Sequence, residues 1–159
     1  MADELTHFDS SGASRMVDVS GKPETERVAR ASGRIRMKPE TAALIRDKRL
    51  AKGDVLEVAR LAAIMAAKRT GELIPLCHPL PITGTVVEFA WEADDLLRVE
   101  ATVRVVARTG VEMEALTAVA MAALTVYDMC KAVDRTMTVE AIRLEEKTGG
   151  QRGPFRRPD

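Results

Sequence analysis

Residues 115–127 read ALTAVAMAALTVY, and no charged side chain interrupts this stretch. Interpreted as a helix, it is apolar on every side, and such a helix is normally covered on every side. One small sheet covers only one side of a helix. The sequence therefore predicts that another copy of the chain supplies the remaining cover and that the protein is a homo-oligomer.

Asp128 and Lys131 follow this segment directly and, being three residues apart, share one helix face. Burial and a nearby opposite charge are strong causes of pKa shifts, so the pair at the edge of an apolar surface is a candidate for acid–base chemistry. A structural ion pair that closes a core helix is an equally good reading of these two residues alone.

Glu114 returns to nearly the same helix face as Asp128, about 21 Å away along the axis. A small ligand could not easily contact both carboxylates in one subunit. Two such helices, antiparallel across a two-fold axis, would bring opposite ends together. We therefore expect sites built from two subunits.

A proline-rich loop is the second candidate site. Pro75 and Pro79 bracket Leu76, Cys77 and His78, and each proline restricts both itself and the residue before it. The stiffened loop makes His78 a candidate for ligand contact or proton transfer, although a histidine bonded to its own loop is the commoner case. Adjacent Cys77 and His78 rarely converge on one ion, so we expect no metal site and no cofactor.

Two lysines flank a predicted helix at residues 54–69. Lys52 precedes it and could hold a phosphate as a point charge, whereas Lys68 ends it, where a cation also suits the helix dipole. Near the start of the uncharged helix, Glu114 suits the dipole as well, and Met113 alone is typical of a core residue. None of these four residues indicates a binding site on its own.

Composition narrows the classes of function. The 24 Lys and Arg balance the 24 Asp and Glu, and aromatic residues make up 3%, which argues against a platform for stacked nucleic-acid bases. The basic residues cluster in the first half of the chain, which suggests a local anion site or a solvated basic face. The chain has two cysteines, a polar N-terminus and no apolar run that approaches the roughly 20 residues of a bilayer span. These features predict a cytoplasmic protein without a membrane partner.

The pattern of elements predicts one domain over residues 1–159, with a flexible N-terminal arm (1–20) and a mobile C-terminal tail (149–159). The predicted order is strand, helix, helix, hairpin, helix, strand, at residues 28–37, 39–48, 54–69, 82–91 with 96–107, 115–130 and 137–147. This order is typical of an α+β fold with an antiparallel sheet and helices on one face.

Several motifs together resemble one family. The most specific are LIPLCHPL at residues 73–80, TGVEMEAL at 109–116 and ALTVYDMCKAV at 123–133; weaker ones are LTH at 5–7, MVDVS at 16–20, KGD at 52–54, AAKRT at 66–70 and KTGG at 147–150. In this order and spacing they resemble the cyclic pyranopterin monophosphate synthase family of molybdenum-cofactor biosynthesis, the accessory protein C type. The resemblance covers nearly the whole chain.

The resemblance implies a ferredoxin-like subunit, a homohexamer arranged as a trimer of dimers, and an active site at a subunit boundary. It implies a lyase that converts 3′,8-cyclo-7,8-dihydroguanosine 5′-triphosphate into cyclic pyranopterin monophosphate and pyrophosphate. Carried over by motif, the catalytic pair falls on Asp128 and Lys131. Substrate binding falls on Leu76, Cys77, His78, Met113, Glu114, Lys52 and Lys68.

A different class of function competes with this one. The basic first half would also suit a non-catalytic α+β module that binds a nucleotide or RNA. Such a module has no use for the Asp128–Lys131 pair at the end of an apolar helix. The pair therefore favours the enzyme.

Overall fold

The computed structural model describes residues 7–158. Within this range the chain forms the following elements: β1 (Thr25–Arg36), α1 (Pro39–Arg46), α2 (Val55–Lys68), α3 (Thr70–Leu73), β2 (Gly84–Ala93), β3 (Leu96–Ala107), α4 (Glu112–Cys130), β4 (Thr138–Thr148) and β5 (Phe155–Arg156). The predicted order of strands and helices is confirmed. The short helix α3 and the strand β5 were not predicted.

The strands form one sheet in the order β2-β3-β1-β4-β5, and all neighbours are antiparallel. In β3, every second residue is buried, from Leu97 to Ala107, as expected for a sheet with one face on the core. Helix α4 packs on β1, β3 and β4, and α2 packs on α4 and β2. The α+β class and the helices on one face are therefore confirmed.

Small residues allow these layers to approach closely. Helices α2 and α4 meet through alanines, among them Ala59 and Ala63 of α2 and Ala118 and Ala122 of α4, all fully buried. A Cβ placed on Gly33 of β1 would lie 2.7 Å from Cγ1 of Val119. The sheet and α4 thus pack at a distance that only glycine permits at this position.

The opposite face of the sheet carries alternating charges. Arg30 bridges Glu100 (3.1 Å) and Glu146 (3.3 Å), and Arg34 pairs with Glu92 (2.6 Å). These pairs link four neighbouring strands across the face that the helices leave uncovered. The face is therefore polar.

The described part of the C-terminal tail is attached to this framework. Residues 1–6 and 159, which include part of the LTH motif, lie outside the described residues. In the predicted mobile tail, β5 pairs with β4, and the amide of Arg157 donates to the carbonyl of Glu145 (2.8 Å). This part of the tail is thus attached to the sheet; the mobility of the tail and the flexibility of the N-terminal arm stay predictions.

Helix α4 is not covered on every side within one chain. Its buried side faces the sheet and α2, but Leu124 is 55% exposed and Met113 is 36% exposed. This exposed side is the one that the sequence analysis leaves for a second copy of the chain to cover, and the homo-oligomer stays a prediction. The helix has the length and apolarity of a membrane span, yet half of that window is buried in the fold, as in many core helices.

Candidate functional site

A cleft of about 650 Å³ opens beside the N-terminal end of α4. The start of β1, the end of β4, the proline-rich loop and part of the N-terminal arm form its walls. Five of the predicted binding residues line it: Leu76, Cys77, His78, Met113 and Glu114. The structure therefore brings together two motifs that 28 residues separate in the sequence.

The proline-rich loop has the predicted extended geometry at its first pre-proline residue. Ile74 has φ −106° and ψ 112°, and its carbonyl accepts a hydrogen bond from the amide of Cys77 (3.1 Å). Nearby, a Cβ on Gly71 would lie 3.1 Å from the backbone of Pro79, so α3 and the loop pack tightly. This packing fixes the direction in which Cys77 and His78 reach the cleft.

His78 holds the N-terminal arm against the cleft. Its Nε2 lies 2.8 Å from the carbonyl oxygen of Val17. Because a carbonyl can only accept, this nitrogen must carry the proton, which leaves Nδ1 as the acceptor in the neutral ring. A second attachment comes from Arg108, whose Nη1 donates to the carbonyl of Ser20 (3.0 Å).

Glu114 is the buried acid of the cleft. It is 3% exposed, and burial raises its pKa to about 7, with the negative charge of Glu112 adding to the rise. Burial, together with Glu114, also raises the pKa of the Cys77 thiol. Near neutral pH, Glu114 can thus hold or release a proton, whereas Cys77 stays a thiol.

Cations line the same cleft, and the sequence analysis did not assign them to the site. They are Lys22, Arg27, Arg108, Lys147 and Arg152. Lys147 pairs with Glu112 at 2.8 Å, and Arg27 donates through Nη2 to the carbonyl of Arg108 (3.2 Å). The sequence offered one signal for these cations: Arg27 is a charged residue at an inward-facing position of a strand whose other inward residues are small or apolar.

Two polar atoms in the cleft are buried without a hydrogen-bond partner among the described residues. They are Nε of Arg27 and Oγ1 of Thr25, on neighbouring inward positions of β1. Unpaired buried donors usually have a ligand or water as partner. This wall of the cleft is therefore suited to accept oxygen atoms of a bound ligand.

Two glycines of the KTGG motif make room for Arg27. Gly149 and Gly150 have φ of +90° and +79°, in the left-handed region that side chains disfavour. A Cβ on Gly150 would overlap Nη1 of Arg27, and one on Gly149 would overlap the carbonyl oxygen of Glu26. The motif thus seats the guanidinium at the cleft wall.

Asp128 and Lys131 lie at the other end of α4, outside this cleft. Lys131 Nζ donates to Oδ1 of Asp128 (2.6 Å), and Lys52 Nζ donates to the carbonyl of Asp128 (3.1 Å). The hydrogen bond and charge of Lys131, with the charge of Lys52, lower the pKa of Asp128. The structure thus joins three of the predicted site residues in a second cluster.

This second cluster is not buried in the single chain. The side chains of Asp128 and Lys131 are 63% and 51% exposed. The expectation that burial perturbs the pair is therefore wrong for one subunit, because α4 presents both side chains on its exposed side. In one subunit, the opposite charge nearby is therefore the remaining cause of a pKa shift in this pair.

Lys68 stands apart from both clusters. It lines a shallow hollow of about 330 Å³ formed with Gly71, Glu72 and residues 79–81. Its place in the last turn of α2 is one where a cation interacts favourably with the helix dipole. Within one subunit, Lys68 contacts neither the cleft nor the Asp128–Lys131 pair.

Comparison with known proteins identifies the family. The model of the MoaC family matches residues 16–150. Proteins named cyclic pyranopterin monophosphate synthase are similar over nearly the full length: 64% identity for that of Thermomicrobium roseum (98% of this chain, 95% of the relative) and 57% for that of Brevibacillus brevis (99% and 98%). Cyclic pyranopterin monophosphate synthase 3 of Mycobacterium tuberculosis is 63% identical (98% and 88%). The chain belongs to the MoaC family.

Proposed function

We propose that this chain is a cyclic pyranopterin monophosphate synthase. It converts 3′,8-cyclo-7,8-dihydroguanosine 5′-triphosphate into cyclic pyranopterin monophosphate and pyrophosphate in molybdenum-cofactor biosynthesis. The observation that carries the proposal is the identity of 57–64% over nearly the whole chain with proteins of that name. The reaction assigned here is a lyase reaction in the cytoplasm, without a bound metal or cofactor.

The cleft suits a nucleotide-sized anion. Its volume of about 650 Å³ falls in the range of small-molecule sites, roughly 300–1,000 Å³. Arg27, Arg108 and Lys22 place positive charge on its walls, and a triphosphate carries several negative charges. Leu76, Cys77, His78, Met113 and Glu114 supply the remaining surface for the substrate.

Asp128 and Lys131 form the acid–base pair of the reaction. Ring rearrangement requires proton transfer to and from nitrogen and oxygen, which a positioned carboxylate and amine can perform. Release of pyrophosphate requires stabilisation of negative charge on the leaving group, which Lys131 and Lys52 can provide from the partner's side of the site. Lys68 lies next to residues 79–81, at the end of the loop that lines the cleft, and would act on the substrate from that side.

The site becomes complete when two chains pair. In one subunit, the cleft and the Asp128–Lys131 pair lie at opposite ends of α4, and the exposed side of the helix between them is uncharged. Helix α2 adds exposed Val58, Leu61 and Met65. A two-fold pairing through this apolar surface covers it and brings each cleft to the partner's Asp128–Lys131 pair.

The fold and assembly proposed here follow the family. The strand order β2-β3-β1-β4 with helices on one face supports a ferredoxin-like subunit, extended by β5. The subunits assemble as a homohexamer, a trimer of dimers. A trimer of dimers needs a second contact surface besides the two-fold contact. The polar side of the sheet, which the helices leave uncovered, is available for it.

A single incubation tests the function. The purified protein is mixed with the cyclised dihydro-GTP, and pyrophosphate and the pterin product are measured over time. The proposal predicts equimolar formation of both by the wild-type protein and none by Lys131→Ala. Tight binding of the substrate without either product would instead support a nucleotide-binding module.

A further inference from the structure

Asp134 is a buried carboxylate that the proposed chemistry does not use. It lies three residues after Lys131, in the turn that follows α4, and is 1% exposed. Burial raises its pKa, but hydrogen bonds from Lys38, Thr136 and Thr41 outweigh this and lower the pKa to about 2. The group is therefore an anion throughout the neutral pH range.

Each oxygen of Asp134 serves a different segment. Oδ1 accepts from the amide (3.0 Å) and the hydroxyl (2.7 Å) of Thr136, within the turn. Oδ2 accepts from the amide of Lys38 (2.9 Å) and the hydroxyl of Thr41 (3.2 Å), at the start of α1. One carboxylate thus joins the end of α4 to the start of α1.

The start of α1 depends on this contact. Lys38 occupies the N-cap position of the helix, and its own side chain makes no capping hydrogen bond. Asp134 accepts from the backbone amide of Lys38, the bond that the Glu or Gln of a capping box makes locally, and it does so from a distant part of the sequence. The loop that follows α1 carries Lys52, so the cap also fixes the route of the chain toward that lysine.

The backbone of Asp134 belongs to the turn that ends α4. The amides of Val133 and Asp134 both donate to the carbonyl of Cys130 (2.9 and 3.0 Å), which folds the turn back under Lys131. The amide of Lys131 donates to the carbonyl of Tyr127 (2.8 Å). If the turn moved, the backbone of Lys131 would move with it.

We propose that Asp134 is a positioning residue that fixes Lys131 relative to Asp128 and Lys52. It does so by capping α1 and by locking the turn after α4 at one point. The inference rests on the proposed function, because it takes Asp128 and Lys131 as the reacting groups. Asp134 itself contacts no substrate.

The test is Asp134→Asn, which keeps the shape of the side chain but turns one acceptor into a donor that faces donors. We expect kcat to fall on the order of tenfold to a hundredfold, because small displacements of reacting groups have effects of this size. KM should rise by less than the roughly tenfold expected for Lys52→Ala, since Lys52 keeps its ammonium and the cleft lies at the other end of α4. An unchanged kcat in a folded Asp134→Asn protein overturns the proposal.

A matched control separates positioning from stability. Ser32 donates to Glu145, another buried carboxylate, in the sheet and away from Lys131. Ser32→Ala should lower the melting temperature and leave kcat unchanged. If Ser32→Ala lowers kcat as much as Asp134→Asn does, the effect is a general loss of stability and the positioning role is refuted.

Milder variants keep the test decisive if Asp134→Asn does not fold. Thr136→Val removes only the hydroxyl contact in the turn, and Thr41→Val removes only the one on α1. Each should lower kcat several-fold with KM nearly constant, and full activity in both would overturn the proposal. An inactive wild-type protein would count against the proposed function instead. In that case a crystal structure of Asp134→Asn tests the positioning role by itself. An intact hydrogen bond between Lys131 and Asp128 in that structure refutes the role.

Discussion

Glu114 and Asp128 lie on one helix, α4, fourteen positions apart and therefore about 21 Å apart along its axis. Glu114 is buried in the cleft, whereas Asp128 is exposed beside Lys131 at the opposite end. No small substrate spans that distance within one subunit. A site that contains both carboxylates therefore requires two chains that pair so that the two ends of α4 meet.

The lysine nearest the Asp128–Lys131 pair should contribute to substrate binding. Lys52→Ala is expected to raise KM about tenfold, because a charge-assisted contact to a phosphate oxygen is lost. Lys48→Ala is the matched control, since the ammonium of Lys48 is paired with Asp54 at 2.7 Å. Steady-state kinetics on the cyclised dihydro-GTP would measure both; equal KM values for wild type and Lys52→Ala would make Lys52 a solvated surface residue.

Glu114 should make stability depend on pH. Its pKa is raised from 4.5 to about 7 in the folded protein, so its stabilising contribution is complete below about pH 4.5 and is lost as the pH rises through 7. Glu114→Gln, which stays neutral, should gain stability relative to wild type over this interval, by up to about 3 kcal/mol. Urea unfolding at pH 5, 6, 7 and 8 would show that the difference in unfolding free energy between the variant and wild type grows with pH. A difference independent of pH would contradict the raised pKa of Glu114.

The exposed side of α4 should form the two-fold contact. Leu124→Glu places a charge on this apolar surface and is expected to break the two-fold pairs and leave smaller assemblies of folded subunits, because Leu124 is 55% exposed in the subunit. Val106→Glu introduces the same change at a residue that is 52% exposed on the opposite side of the sheet, and it should keep the two-fold pair. Sedimentation velocity would distinguish them; a Leu124→Glu protein with the wild-type mass would place the contact elsewhere.

The sequence predicted the elements well where local chemistry sets them. The helix predicted at residues 54–69 is observed as α2, and the carboxylate of Asp54 caps its start by accepting from the amide of Glu57 (3.3 Å). A run of residues with strand character predicted β3 at residues 96–107, and burial alternates along the observed strand. The strand β5 was missed because two paired residues after a glycine-rich turn carry no periodic signal.

The cations of the cleft were harder to predict because sheet topology brings them together. Arg27 lies near the start of β1 and Lys147 near the end of β4, and the antiparallel register places Ala29 opposite Lys147. More than a hundred residues separate these positions in the sequence. Only the order of strands, which local patterns do not encode, makes them neighbours.

Complementation between two inactive variants tests the shared site most directly. Lys131→Ala removes the amine of the acid–base pair, and Arg27→Ala removes a cation of the cleft; each protein alone is expected to be inactive or nearly so. If each site takes its cleft from one chain and its Asp128–Lys131 pair from the partner, a mixed dimer has one site with both defects and one intact site. Equal coexpression of the two variants should then restore about a quarter of wild-type activity. If the mixture is no more active than its two components, the cleft and the pair do not act together across two chains, and the account is contradicted.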